Sequence, residues 1–158
     1  MTETEAQFLR RAIALSLDET DANEGGPFGA VIVQNGRIIA EGWNRVTSAC
    51  DPTAHAEIVA IRKACEALGR FDLEGCEIYS SCEPCPMCLA AIYWARLERL
   101  TYAADRHDAA AVGFDDDWLY QEVPKAPEER LLTTRRDLQA EAQQAMRRWL
   151  EKEDRIPY

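Results

Sequence analysis

Apolar residues change their spacing several times along the chain, and each change marks an element. Residues 4 to 18 carry Phe8, Leu9, Ala12, Ile13 and Leu17 at helical spacing, the stripe of an amphipathic helix. "NEGGPFG" ends it. "FGAVIVQNGRIIAEGW" reads as two apolar strands around Asn35-Gly36, a pair that accepts the positive φ of a tight hairpin turn. After a polar loop over 44 to 52, containing Pro52, a helix is expected from about 54 to 68. Its inward positions are Ile58, Ala60, Ile61, Ala64 and Leu68, and Gly69 is its stop.

Further on, "CEIYSS" predicts a short strand and "PMCLAAIYWAR" a helix with proline near its first turn. "RLTYAA" is the next strand. Then come a short helix or turn in "DAAAVGFDDD", a proline-punctuated stretch, a fifth strand in "RLLTTRR", and a terminal helix from about 137 to 152. Strands alternating with helices after a hairpin predict an α/β fold, a three-layer α/β/α sandwich with a mixed five-stranded sheet. With 158 residues and no internal repeat or linker, the expectation is one domain over 1–158.

Composition narrows the class. A hydrophobic fraction of 47% and a charged fraction of 29% are those of a soluble protein. No apolar run approaches the about 20 residues that span a bilayer. The opening "MTETEAQFLRR" has acidic residues where a secretory signal has basic ones, so no membrane partner and a cytoplasmic location are expected. A formal charge of −10 argues against nucleic acid as partner, since phosphate binding wants a basic face.

Of six cysteines, Cys82, Cys85 and Cys88 fall within "CEPCPMC", a spacing suited to metal rather than to disulfides. Cys65 and Cys76 read as core thiols. Cys85 and Cys88, three apart, share a face if a helix starts at Pro84 to Pro86. "TAHAEIVAIRKA" supplies His55 and Glu57, which an uninterrupted helix would point to nearly opposite sides. Two Cys and one His suit tetrahedral zinc, and three protein ligands leave one position for a water or hydroxide. Glu57 then need not be a ligand, only reach that water and move its proton. The competing arrangement adds Cys82 to close a structural Cys₃His site.

His55-Ala56-Glu57 with Pro84-Cys85-Pro86-Met87-Cys88 resembles the H-x-E and P-C-x-x-C signature of the zinc-dependent cytidine deaminase-like superfamily. "GGPFGAVIV", "DPTAHAE", "CEPCPMCLAAIYWAR", "AADRHDAAAVGFDD" and the Tyr-terminated tail are similar to its bacterial guanine deaminase branch. The resemblance implies hydrolysis of guanine, a small purine base, to xanthine and ammonia in purine catabolism or salvage, with one Zn²⁺ per chain. It also implies a homodimer that exchanges C-terminal segments, here about 137–158. The expected ligands are His55, Cys85 and Cys88, with Glu57 catalytic. Asn44 offers an amide to the purine's O6 and N7 edge, and the backbone N–H groups of Ala56 and Cys85 are candidates to hold the base. Asp116, within Asp115 to Asp117, looks like the family's acidic contact to the base. Phe28 and Trp94 are candidates to sandwich the ring, and Tyr158 to close over a neighbour's pocket. Two other readings stay open. One is a deaminase of another substrate (a guanosine-type nucleoside, an aminotriazine or tRNA adenosine); the other is a zinc-stabilised binding protein without catalysis.

Overall fold

Alternation along one strand sets the layers. The structure, a computed structural model describing residues 1–158, has β1 at Gly29–Gln34 and β2 at Arg37–Trp43, antiparallel and joined at Asn35 and Gly36, both with positive φ. Side chains of a strand alternate between faces. Ala30 and Ile32 of β1 pack into one core and Val31 and Val33 into another. That is why "FGAVIV" is apolar at every position rather than every second one. The first core takes α2 (Ala56–Leu68) through Ala56, Ala60 and Ala64, and α3 (Pro86–Trp94) through Ile92. The second takes α1 (Glu3–Asp21) through Leu15, with Phe8 and Leu9 against it.

Helix α1 is anchored by a Thr2–Glu5 capping box, and its buried line runs through Ala12, Leu15 and Ser16. Leu17, expected on the stripe, is 62% exposed. Its place is taken by Leu15 and Ser16, because Gly29 lets β1 approach Ala12 and Leu15 closely: a Cβ there would lie 2.3 Å from the Ala12 carbonyl oxygen.

The sheet is completed by β3 (Cys76–Cys82), antiparallel to β1, and β4 (Arg99–Ala104), parallel to β3. Its order is β2-β1-β3-β4, a mixed sheet of four strands and not the expected five. "RLLTTRR" forms no ladder. Its leucines are adjacent rather than alternating, and Leu131 and Leu132 are both about three-quarters exposed, at 76% and 77%. The Leu131 amide donates instead to the Glu122 carboxylate at 2.5 Å.

Two compact units make up the chain, Met1–Tyr120 and Gln121–Tyr158. After β4 the first holds α4 (Arg106–Ala111) and most of α5 (Asp116–Glu122). The second holds a 3₁₀ turn at Pro127–Glu129 and α6 (Gln139–Glu151), whose Met146, Trp149 and Leu150 are exposed. No helix is long and apolar enough to cross a membrane.

Candidate active site

The His55 and Glu57 puzzle is resolved by where α2 starts. Its first residue is Ala56; His55 is the N-cap, with extended backbone at φ −68° and ψ 158°. The helical step of 100° therefore does not separate the two side chains, and both line one cavity. The turn before them is tied locally. Asp51 accepts from the Thr53 amide at 2.8 Å and hydroxyl at 2.7 Å, and the His55 amide donates to the Thr53 carbonyl at 2.8 Å. Gly42 of β2 lets the first turn of α2 settle on the sheet, since a Cβ there would sit 2.2 Å from the Ala56 carbonyl oxygen.

Helix α3 repeats the device. Cys85 is its N-cap, at φ −63° and ψ 167°, followed by Pro86 in the first turn. An N-cap side chain ordinarily bonds its own helix's amides. Neither His55 nor Cys85 does, so both are available as ligands.

Ligand atoms of His55, Cys85 and Cys88 all lie within 4.8 Å of one another. His55 Nδ1 is 3.6 Å from Cys85 Sγ. Tetrahedral zinc with ordinary Zn–N and Zn–S bonds separates a nitrogen and a sulfur by about 3.6 Å, so the donor set and this spacing fit the ion. Cys82 stands apart from the cluster. Its thiol faces the Asp105 carbonyl oxygen at 3.4 Å, and burial pushes its pKa up to about 12.

Charge in the site follows from proximity and burial. The Cys88 thiol, then His55, hold Cys85 well below the usual thiol range, favouring thiolate. Cys88 is pushed up by its bond to Cys85 and by burial. The hydrogen bond with Cys85 raises His55. Glu57 is 5% exposed, and burial raises its carboxyl above the ordinary range; Ser80 Oγ of β3 donates to its Oε1 at 3.1 Å. Burial, then the Cys85 charge, also raises Asp116.

The cavity, about 570 Å³, is also lined by Asn44, Phe28, Asp116 and Phe114. Asn44 is buried, and its Oδ1 accepts from the amides of Gly26 at 3.1 Å and Val46 at 3.2 Å. Backbone donors fix the amide's orientation, turning its NH₂ away from those bonds. Phe28 meets Phe114 edge-on, centroids 4.7 Å apart. Of the three aspartates, Asp116 lines the cavity; Asp115 is exposed and Asp117 is not in the lining.

Trp94 and Ala56 are not in the cavity lining. Trp94 ends α3 at 64% exposure, outside the cavity lining, because the helix turns its Cys88 and Ile92 face inward. Ala56 is fully buried and does not line the cavity either. Tyr158 belongs to the second unit and is 76% exposed. Sequence reasoning missed Phe114, Glu83 and Ser80. Ser80 carried a signal, as a hydroxyl inside a strand whose neighbours are buried; Phe114 carried none beyond its place before the aspartate run.

Residues 2–104 match the family model for the cytidine and deoxycytidylate deaminase zinc-binding region. The chain is 58% identical over 125 residues to guanine deaminase from Bacillus subtilis, covering 79% of this chain and 80% of that one. It superposes on an X-ray structure of guanine deaminase from that organism with a TM-score of 0.94 and 50% identity, over 97% of this chain and 98% of the other. A tRNA-specific adenosine deaminase from Agrobacterium fabrum is 52% identical over 86 residues, covering 54% of this chain and 57% of that protein. Motifs, site geometry and similarity over most of the length agree: the chain belongs to the bacterial guanine deaminase family, within the zinc-dependent cytidine deaminase superfamily.

Proposed function

We infer that the protein hydrolyses guanine to xanthine and ammonia, using one zinc ion per chain. The observation that carries this reading is the His55, Cys85 and Cys88 cluster beside a buried glutamate at one cavity. His55, Cys85 and Cys88 are the residues that would hold zinc, which when bound acidifies water and so supplies the nucleophile at neutral pH. Glu57 moves the protons. Its carboxylate takes one proton from the attacking water and delivers it to the ring nitrogen beside C2; it then takes the second from the hydroxyl now on C2 and gives it to the exocyclic amine, which leaves as ammonia while the C2 carbonyl forms. Ser80 holds Oε1, which leaves Oε2 to carry the proton.

Asn44 orients the base. With Oδ1 engaged by two amides, the side chain presents donors only, matching the paired acceptors O6 and N7 of guanine. Adenine puts an amine where O6 stands and would set donor against donor. Asp116 accepts from the base's N–H groups, and the Phe28 and Phe114 rings supply an apolar wall that excludes water. Exposed apolar faces on α3 (Tyr93, 71%, and Trp94) and on α6 support a homodimer in which residues 137–158 are exchanged and Tyr158 closes the partner's cavity.

Zinc-loaded protein should release ammonia and xanthine in equal amounts from guanine. Chelation should abolish turnover and added zinc restore it; turnover that survives complete metal removal overturns the reading.

A further inference from the structure

The loop between β3 and α3 carries Cys85, and it is tied down on both sides of that residue. On one side, the Glu83 amide donates to the Ala104 carbonyl at 2.9 Å, at the end of β4. The Glu83 carboxylate accepts three bonds from Arg106: from its amide at 3.1 Å, Nε at 3.0 Å and Nη2 at 2.7 Å. The Glu83 side chain is shielded, at 12% exposed, and that of Arg106 is 31% exposed. On the other side, the Tyr120 hydroxyl donates to the carbonyl of buried Pro84 at 2.7 Å. The Arg106 guanidinium lies over the Tyr120 ring, 3.7 Å from its centroid. The contacts close a ring, from Glu83 through Arg106 and Tyr120 to Pro84, around the position that precedes Cys85.

Each member is itself placed by the fold. Arg106 is the first residue of α4, whose N-cap Asp105 accepts from the His107 and Asp108 amides in a capping box. Tyr120 follows Asp116 by four residues on α5, so the two share one face of that helix. Helix α5 has seven residues, too few to hold its position by intrinsic helical stability. Its site-facing residue Asp116 lies one turn before Tyr120, whose hydroxyl ties that face to Pro84 in the Cys85 loop.

We propose that Arg106 and Tyr120 form a strut that fixes the Asp116 carboxylate in register with the Cys85 loop, making both of them positioning residues for the reaction. The inference rests on the site reading above, in which Asp116 meets the base and Cys85 the metal. Arginine suits the task because its planar fork binds Glu83 through two nitrogens while its face stacks on the ring, which lysine does not reproduce.

Tyr120→Phe keeps the ring under Arg106 and removes only the hydroxyl; Arg106→Lys keeps the charge and removes fork and stack. Both variants should still bind one zinc per chain. Their kcat/KM for guanine should fall roughly 10- to 100-fold, and zinc should pass to a chromogenic chelator about tenfold faster, the range for partners behind a metal ligand. In an Asp116→Asn background, the further loss from Tyr120→Phe should be much smaller, because the carboxylate it aims is gone. Fully additive losses overturn the proposal. So does a lowered Tm with unchanged kcat/KM and unchanged zinc release. The chelator measurement involves no substrate, so its failure is separable from failure of the guanine assignment, which would appear as an inactive wild type.

Discussion

Cys85 and His55 each stand one residue before a helix, and that placement does two things at once. It frees the side chain from the helical repeat, and it aims the helix's unpaired amide end at the ligands, which favours negative charge there. Glu57, one step inside α2, keeps the helical direction and is buried against Ser80. The division of labour predicts separable phenotypes. Glu57→Gln should retain about one zinc per chain and lose at least about 10²-fold in rate, the low end for general acid–base catalysis. Zinc content falling in step with activity would make Glu57 a ligand. Cys82→Ala should keep its zinc while Cys85→Ala and Cys88→Ala lose it, because the Cys82 thiol faces the Asp105 carbonyl rather than the cluster. Equal loss at all three would restore the closed Cys₃His site.

Elements positioned by backbone contact, without a functional side chain, matter as much. Gly42 has no group to offer, yet any side chain there meets the first turn of α2. Gly42→Ala should destabilise the protein by about 1–3 kcal/mol, as overpacking does, and should lower activity further by displacing His55 and Glu57. A melt and an assay on the same sample check it, and an unchanged Tm would contradict so tight an approach. What the sequence disclosed follows the same division. The hairpin at Asn35-Gly36, the helix ending at Gly69 and the "CEPCPMC" turn were legible because local chemistry dictates them. The fifth strand is corrected because "RLLTTRR" has strand-like composition without apolar and polar alternation, and the sheet has four strands that do not include it. Trp94 lies outside the cavity lining of one chain, and aromatic character alone does not reveal which way α3 faces. Arg106 and Tyr120 were invisible, since their partners lie 23 and 36 residues away.

At the scale of the whole molecule, apolar residues of α6 and Tyr93 and Trp94 of α3 are exposed in one chain, the observation behind the proposed pairing with a second. If the tail closes a partner's cavity, deleting residues 155–158 should leave zinc content intact and lower kcat/KM by excluding water less well. Refolding the truncated chain together with a Glu57→Gln chain should recover part of the activity, because one cavity in the mixed dimer then has both an intact glutamate and a tail. No recovery would remove the exchange from the account. Substrate choice at the His55, Cys85 and Cys88 site separates the guanine reading from its rivals. Its most direct measurement is kcat/KM for guanine, adenine, cytosine, guanosine and an adenosine-bearing tRNA hairpin, followed as ammonia release with the Glu57→Gln protein as blank. The donor-only amide of Asn44 predicts efficient turnover of guanine and discrimination against adenine by roughly 10⁴-fold, the scale at which mismatched buried polar groups reject a substrate. Faster turnover of the tRNA hairpin than of guanine would contradict it.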